Sequence, residues 1–317
     1  MLAGVLIDHI LHVTSSPDPQ LSVVSSLLLH IRALTNAYPR QTAEHFIRKL
    51  SLMHKNLRRG LNRSAVDCDA KTWPGLPELV LLRILGALWP TSDMHHVVVS
   101  PARLLMGSYL GLCKIRSLID VASGLFLCTL FLQYETFSKR FVPEAISFLI
   151  DTFLSMSPRR RAPAESGRSS PPPQRHHNGQ LCVIGKGEAK TLSVNRPDLV
   201  AIIGDKRVTA QTNVDLLGLT VDLLARFSES CKTLSGFVEL YGPVLQILGN
   251  IDSDVLCSSL RVRLHLPYIT CLIFLQEPNI SDSRHHPETL EVLAPGPSAS
   301  PPPGTQAYPH SLIYPEV

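Results

Sequence analysis

Through the first 156 residues of this 317-residue chain, apolar positions recur every three or four residues. That is the period of an amphipathic helix, not the alternation of a strand. Leu2–Val13 reads as a short amphipathic helix, closed by a turn at Ser15-Ser16-Pro17-Asp18-Pro19, because proline disfavours helix in the residue before it. Leu21–Ala37 is a second helix, with Val24, Leu27, Leu28, Ile31 and Leu34 at helical spacing. Thr42–Leu61 is a third, with Ala43, Phe46, Ile47, Leu50, Leu57 and Leu61 as its buried stripe. After a polar loop over residues 64–74, Pro77 occupies the first position of a helix, which stops at Trp89-Pro90. Ser100-Pro101 reads as an N-cap followed by a first-position proline, opening a helix to about Leu112. Another helix runs from about Ile115 to Phe137, and Val142-Pro143-Glu144 opens one that continues through Met156.

Helices joined by links of two to eight residues are expected to pack as antiparallel neighbours. No fixed repeat length shows, so the expected fold class is all-α, an irregular HEAT-like helical-repeat array, with a disordered internal linker and a disordered C-terminal tail. The array occupies residues 1–156. Residues 157–180, rich in Arg, Pro and Ser, form the linker. Residues 181–260 are a second helical segment packing on the first. Within it, Leu181–Arg207 is ambiguous. Thr209–Ser230 is a clear helix through Val214, Leu217, Val221, Leu224 and Phe227. Leu234–Ile251 is another, with a kink or break at Gly242-Pro243. Residues 261–317 are mostly disordered, with a short apolar piece at Arg261–Leu275 and a Pro-, Ser- and His-rich end.

Composition sharpens this picture. Leucine dominates and aromatics make up only 6% of the chain, which favours helix-on-helix packing. The net charge of +4 hides two basic islands. Seven basic residues and one acidic lie between Arg40 and Arg63, and five Arg with one Glu lie between Pro158 and Arg175. On the third helix Arg48, Lys55, Arg58, Arg59 and nearby Arg63 project away from the apolar stripe. They form either a solvated face or a face for phosphates, whose counterions Lys and Arg displace. No aromatic residue is interleaved with them, so base stacking is not indicated. The seven Cys are scattered without a CxxC, as expected of reduced thiols in a cytosolic or nuclear setting. The apolar start lacks a basic flank and fails as a signal peptide. The apolar run Val121–Leu132 is too short to cross a bilayer and reads as a core helix.

Candidate chemistry is thin. His95-His96, His176-His177 and His285-His286 are adjacent pairs whose side chains point apart, and His9 with His12 lacks a third ligand, so no zinc site is expected. Gly185-Lys186-Gly187 lacks the remainder of a phosphate loop and reads as a turn. Gly107-Ser108-Tyr109-Leu110-Gly111 lies within a helix, without nucleophile-elbow spacing. Cys113 and Cys128 read as core fillers. No enzyme, cofactor or small-molecule substrate is expected.

The longest informative runs are Leu88-Trp89-Pro90-Thr91-Ser92-Asp93, Pro101-Ala102-Arg103-Leu104-Leu105-Met106-Gly107, Ala122-Ser123-Gly124-Leu125-Phe126-Leu127-Cys128 and Ser138-Lys139-Arg140-Phe141-Val142-Pro143-Glu144-Ala145-Ile146. In these runs the chain resembles the nucleolar protein 14 family, over roughly residues 1–255. The resemblance implies a non-enzymatic scaffold of the small-subunit processome in the nucleus and nucleolus. Its work there would be small-subunit rRNA maturation alongside the U3 small nucleolar ribonucleoprotein. It implies as partners a Noc-class nucleolar complex protein, an Emg-class pseudouridine methyltransferase and pre-ribosomal RNA, with no membrane. It transfers no RNA-contacting residue. Against the family the chain reads as truncated: it lacks a charged N-terminal half and a Lys/Arg-rich tail, and from about Arg261 it continues as an out-of-family tail. The rival reading is a helical protein-interaction module without nucleic-acid contact.

Overall fold

The structure is a computed structural model that describes residues 2–16, 19–64, 67, 70–93, 95–135, 140–157, 181, 192–204, 209–234, 236–249 and 257–263. The linker and tail expectations, the Gly185-Lys186-Gly187 turn and the later two histidine pairs lie outside the described residues. The helices are α1 (Leu2–Thr14), α2 (Leu21–Ala37), α3 (Pro39–Ser64), α4 (Leu76–Leu88), α5 (Val99–Leu112), α6 (Leu118–Glu135), α7 (Pro143–Met156), α8 (Leu199–Gly204), α9 (Ala210–Cys231) and α10 (Phe237–Gly249). A short α11 covers residues 258–263. No strand occurs among the described residues.

The contacts sort the helices into two rows. Odd-numbered helices touch in the series α1, α3, α5, α7, α9, and even-numbered ones in the series α2, α4, α6, α8. Successive helices from α1 to α7, apart from α3 and α4, cross between the rows. This is the stacking of a HEAT-like array, in which each unit buries its apolar face against the next. In the even row α6 packs against α4, α5, α7, α8 and α9. Its sequence is accordingly apolar on nearly every side, as a helix without a solvent face must be. The apolar run at Val121–Leu132 is the middle of α6. At 18 residues this helix is long and apolar enough to cross a membrane by composition, yet 72% of it is buried inside the fold.

Several boundaries differ from the sequence expectation, each for a local reason. α3 begins at Pro39, not Thr42, since proline suits the first turn and only Tyr38 separates it from α2. Pro77 is the second helical residue of α4, after Leu76, with Gly75 as cap. The expected Ser100 cap of α5 does not form. The cap residue is Val98, and His96 Nδ1 accepts from the amides of Val98 and Val99 at 3.2 Å each. The imidazole thus takes up donors that open a helix end. α10 runs through Pro243 without the break expected there.

α6 starts at Leu118 because Ser117 and Asp120 cap it reciprocally. Asp120 Oδ2 accepts from the amides of Arg116 (2.9 Å) and Ser117 (3.2 Å), and the Asp120 amide donates to Ser117 Oγ at 3.2 Å. Burial pushes the Asp120 carboxyl up, against the pull of these bonds and of Arg116. Asp120→Ala is expected to cost about 1 kcal/mol. Thermal melting followed by circular dichroism should show this as a drop of roughly 2–4 °C.

The polar loop before α4 contributes to the core. Trp73 is buried, its Nε1 donates to the Lys114 carbonyl at 2.9 Å, and its ring meets Phe148 edge-on at 5.4 Å. Arg116 donates to the Ala70 carbonyl at 2.7 Å and to Thr72 Oγ1 at 3.1 Å, which stitches this loop to the α5–α6 turn.

Candidate nucleic-acid interface

α3 buries Thr42, Phe46, Leu50, Met53, Leu57 and Gly60 on one side. Arg48, Lys55, Arg58, Arg59 and Arg63 are all exposed. Arg48, Lys55, Arg59 and Arg63 follow one another at spacings of seven, four and four, so they form one stripe along the helix, with Arg58 about a quarter-turn aside. From Arg48 to Arg63 the stripe is about 22 Å long at 1.5 Å per residue.

The structure divides the basic residues of α3 into two sets. Arg40 pairs with Glu44 of the same helix at 3.6 Å, and Lys49 reaches Asp8 of α1 at 2.5 Å. Among the described residues none of the other five is in an ion pair. Leu52 lies half-exposed within the stripe, which holds no aromatic side chain. The face offers point charges and forks for an anionic chain, without a stacking platform.

Residues of two of the runs that carry the family resemblance join the helices of the array, and one of them touches α3. Trp89 meets Phe46 of α3 edge-on, with centroids 5.1 Å apart, and packs on His96 at 5.5 Å. Thr91 Oγ1 donates to the Tyr134 carbonyl at the end of α6 (3.0 Å), and Tyr134 OH donates to the Leu82 carbonyl at 2.7 Å. Arg103 pairs with Glu135, both largely buried. Trp89, Thr91 and Arg103 are therefore joints of the array, and Trp89 fixes α3 relative to α4.

The other candidates are structural. Burial pushes the Cys113 thiol up to about 12, opposed by the Thr72 side chain, and raises that of Cys128. Both thiols are buried, and burial favours their protonated form. Among the described residues no group of three or more His, Cys, Asp or Glu could hold a metal ion. The Gly107–Gly111 run lies within α5 and borders a cleft of about 610 Å³ with Leu104 and Leu112, both well exposed. Sequence reading missed three further arginines, Arg83, Arg196 and Arg226, which converge on another cleft. They are scattered over more than 140 residues of chain and form no local charge run to find.

A two-row helical array with one basic flank defines an α-helical repeat protein. Its family is fixed by sequence: the profile of the Nop14-like family matches residues 1–267. The chain belongs to the Nop14-like family. The match takes in α11 and ends at residue 267. The chain is 28% identical to human nucleolar protein 14 over 266 residues, which is 81% of this chain and 30% of that protein. To the probable nucleolar complex protein 14 of Schizosaccharomyces pombe it is 26% identical, over 82% of this chain and 30% of the relative. To nucleolar complex protein 14 of Saccharomyces cerevisiae it is 41% identical over 71 residues, 22% of this chain and 9% of the relative. The chain thus spans under a third of the length of these relatives. Their names place them in the nucleolus, and the chain is assigned to the same compartment of the nucleus.

Proposed function

We propose that the chain is a non-enzymatic scaffold of ribosome biogenesis. It belongs in the small-subunit processome, in association with the U3 small nucleolar ribonucleoprotein, and serves small-subunit (18S) rRNA maturation and 40S subunit formation. Family membership supports the process. The observation that carries the mechanism is the α3 stripe, where Arg48, Lys55, Arg58, Arg59 and Arg63 stand exposed and outside any ion pair among the described residues. These five contact pre-ribosomal RNA through its phosphates, while the helical rows offer faces to protein partners of the Noc and Emg classes.

The second reading, a protein-interaction module without RNA contact, draws on the exposed Leu104 and Leu112 beside the 610 Å³ cleft. Salt dependence separates the two. Five phosphate contacts on single-stranded RNA give a log–log salt slope of about −3.5. Reversing all five charges to Glu is expected to flatten that slope and to weaken binding of an 18S-precursor transcript by at least about tenfold. Filter binding across a salt series reads both. Unchanged affinity and slope in the folded variant would overturn the RNA reading in favour of the second.

A further inference from the structure

A second charged feature lies where α4, α6, α8 and α9 meet, away in sequence from the α3 stripe. Residues 192–198, which form neither helix nor strand, cross this junction as a strap. The strap is tied down at several points. The Val194 amide donates to Ser259 Oγ of α11 at 3.2 Å, and the Asn195 amide donates to Asp215 Oδ1 at 2.8 Å. Gln211 Nε2 donates to the Ser193 carbonyl at 2.6 Å. Val194 also seats on α9 over Gly218, where a Cβ would stand 2.3 Å from Val194 Cγ1. Only a residue without a side chain leaves that seat open.

The strap carries Arg196 between two lobes of a cleft, of about 470 and 700 Å³, and Arg196 lines both. Arg83 of α4 lines the first lobe and Arg226 of α9 the second. All three side chains are exposed, and among the described residues none is in an ion pair. The acids of the cleft are already engaged. Asp222 pairs with Arg263 at 2.5 Å, and Asp198 Oδ1 accepts from the amides of Val200 (3.0 Å) and Ala201 (3.2 Å). The walls between the arginines are aliphatic: Leu199 and Leu219 are half-buried, Leu223 is buried, and Pro197 flanks Arg196.

We propose that this cleft docks an acidic, leucine-bearing segment of a protein partner. Its carboxylates meet Arg83, Arg196 and Arg226, and its leucines rest on Leu199, Leu219 and Leu223. Guanidinium forks pair two-pronged with carboxylates, and an alternation of acid and leucine matches the alternation of arginine and aliphatic wall. RNA fits less well. The ring lining the cleft, Phe126, is only 9% exposed and offers no stacking face. The α3 stripe has neither aliphatic walls nor an enclosing strap, so the two basic features select different ligands.

Fluorescence anisotropy on the full chain tests this with three labelled probes: a peptide of Glu-Glu-Leu repeats, the same peptide with Gln for Glu, and oligouridylate. The Glu peptide is expected to bind. Arg196→Glu with Arg226→Glu should weaken it by at least about tenfold, in keeping with the loss of close charge pairs at an interface. Reversal of the five α3 charges should leave it within about twofold, and the Gln peptide should bind far more weakly. Gly218→Val, which unseats the strap without changing charge, should also weaken the Glu peptide. Circular dichroism melting checks each fold, and Arg83→Glu, a single exposed change on α4, serves if the double variant is unstable. The proposal is overturned if the folded variants bind the Glu peptide as the parent does. It also falls if the Gln peptide binds equally, if α3 reversal alone abolishes peptide binding, or if the cleft variants lose oligouridylate and keep the peptide. None of these outcomes depends on whether the α3 stripe binds RNA.

Discussion

Arg103→Ala is expected to destabilise the chain by about 3–5 kcal/mol, the usual consequence of breaking a buried ion pair from one side. Glu135 is only 4% exposed and sits in the last turn of α6, where the helix carbonyls already present negative partial charge. Arg103 of α5, itself 16% exposed, supplies the balancing cation. Truncating the arginine removes this guanidinium from a buried carboxylate at the joint between α5 and α6. For a fold of this size the melting temperature should fall by roughly 10 °C. The control is Arg103→Met with Glu135→Leu, which removes both charges and should recover much of the loss, since a buried pair contributes little beyond its apolar replacement. A melting temperature within about 2 °C of the parent for Arg103→Ala would rule the pair out as a stabilising joint.

Gly124→Ala comes next in size. A Cβ on Gly124 of α6 would lie 2.0 Å from Phe148 Cζ and under 3 Å from two more atoms of that ring. The ring has little room to yield, since Phe148 is buried and its edge is set against Trp73. Overpacking of this kind costs about 1–3 kcal/mol, and the upper end applies where neighbours are pinned. Alanine's better helix propensity returns about 1 kcal/mol. The net expectation is a melting temperature lower by roughly 5 °C. Phe148→Leu should relieve the clash, so a double-mutant cycle should show strong positive coupling. Additive losses would mean that the close approach of α6 and α7 does not depend on this glycine.

The elements of the fold were legible because helical periodicity is a local property. The stripes of α2, α3 and α9 lie where Val24, Phe46 and Val214 predict them. What stayed hidden was long-range. Trp73 looked like part of a polar loop because its burial depends on Lys114 and Phe148, far along the chain. Ser100-Pro101 carries a cap signal, but His96 reaches the helix end first. The two-row stacking has no fixed repeat length behind it, so no internal self-similarity announces it. The α3 stripe was readable as a local charge run, whereas the sorting of Arg40 and Lys49 into ion pairs required the positions of Glu44 and Asp8. The arginine cleft draws on α4, the strap and α9, and no window of sequence contains it.

Leu181 has a further consequence. Its amide donates to the Ser155 carbonyl in the last turn of α7, and its carbonyl accepts from Asn213 Nδ2 of α9 at 2.7 Å. The chain leaves α7 and returns to nearly the same place before packing α9 against it. Ser155 and Leu181 are thus held side by side, and doubling the length of a loop between closed ends costs only about 0.6 kcal/mol. The junction of α7 and α9 is therefore held by contacts of its own, besides the chain through residues 158–180. Two separately expressed polypeptides, cut within that span, should find each other through α7 and α9 and reassemble the array. The span can also lengthen, shorten or take an inserted tag without disturbing the rows on either side.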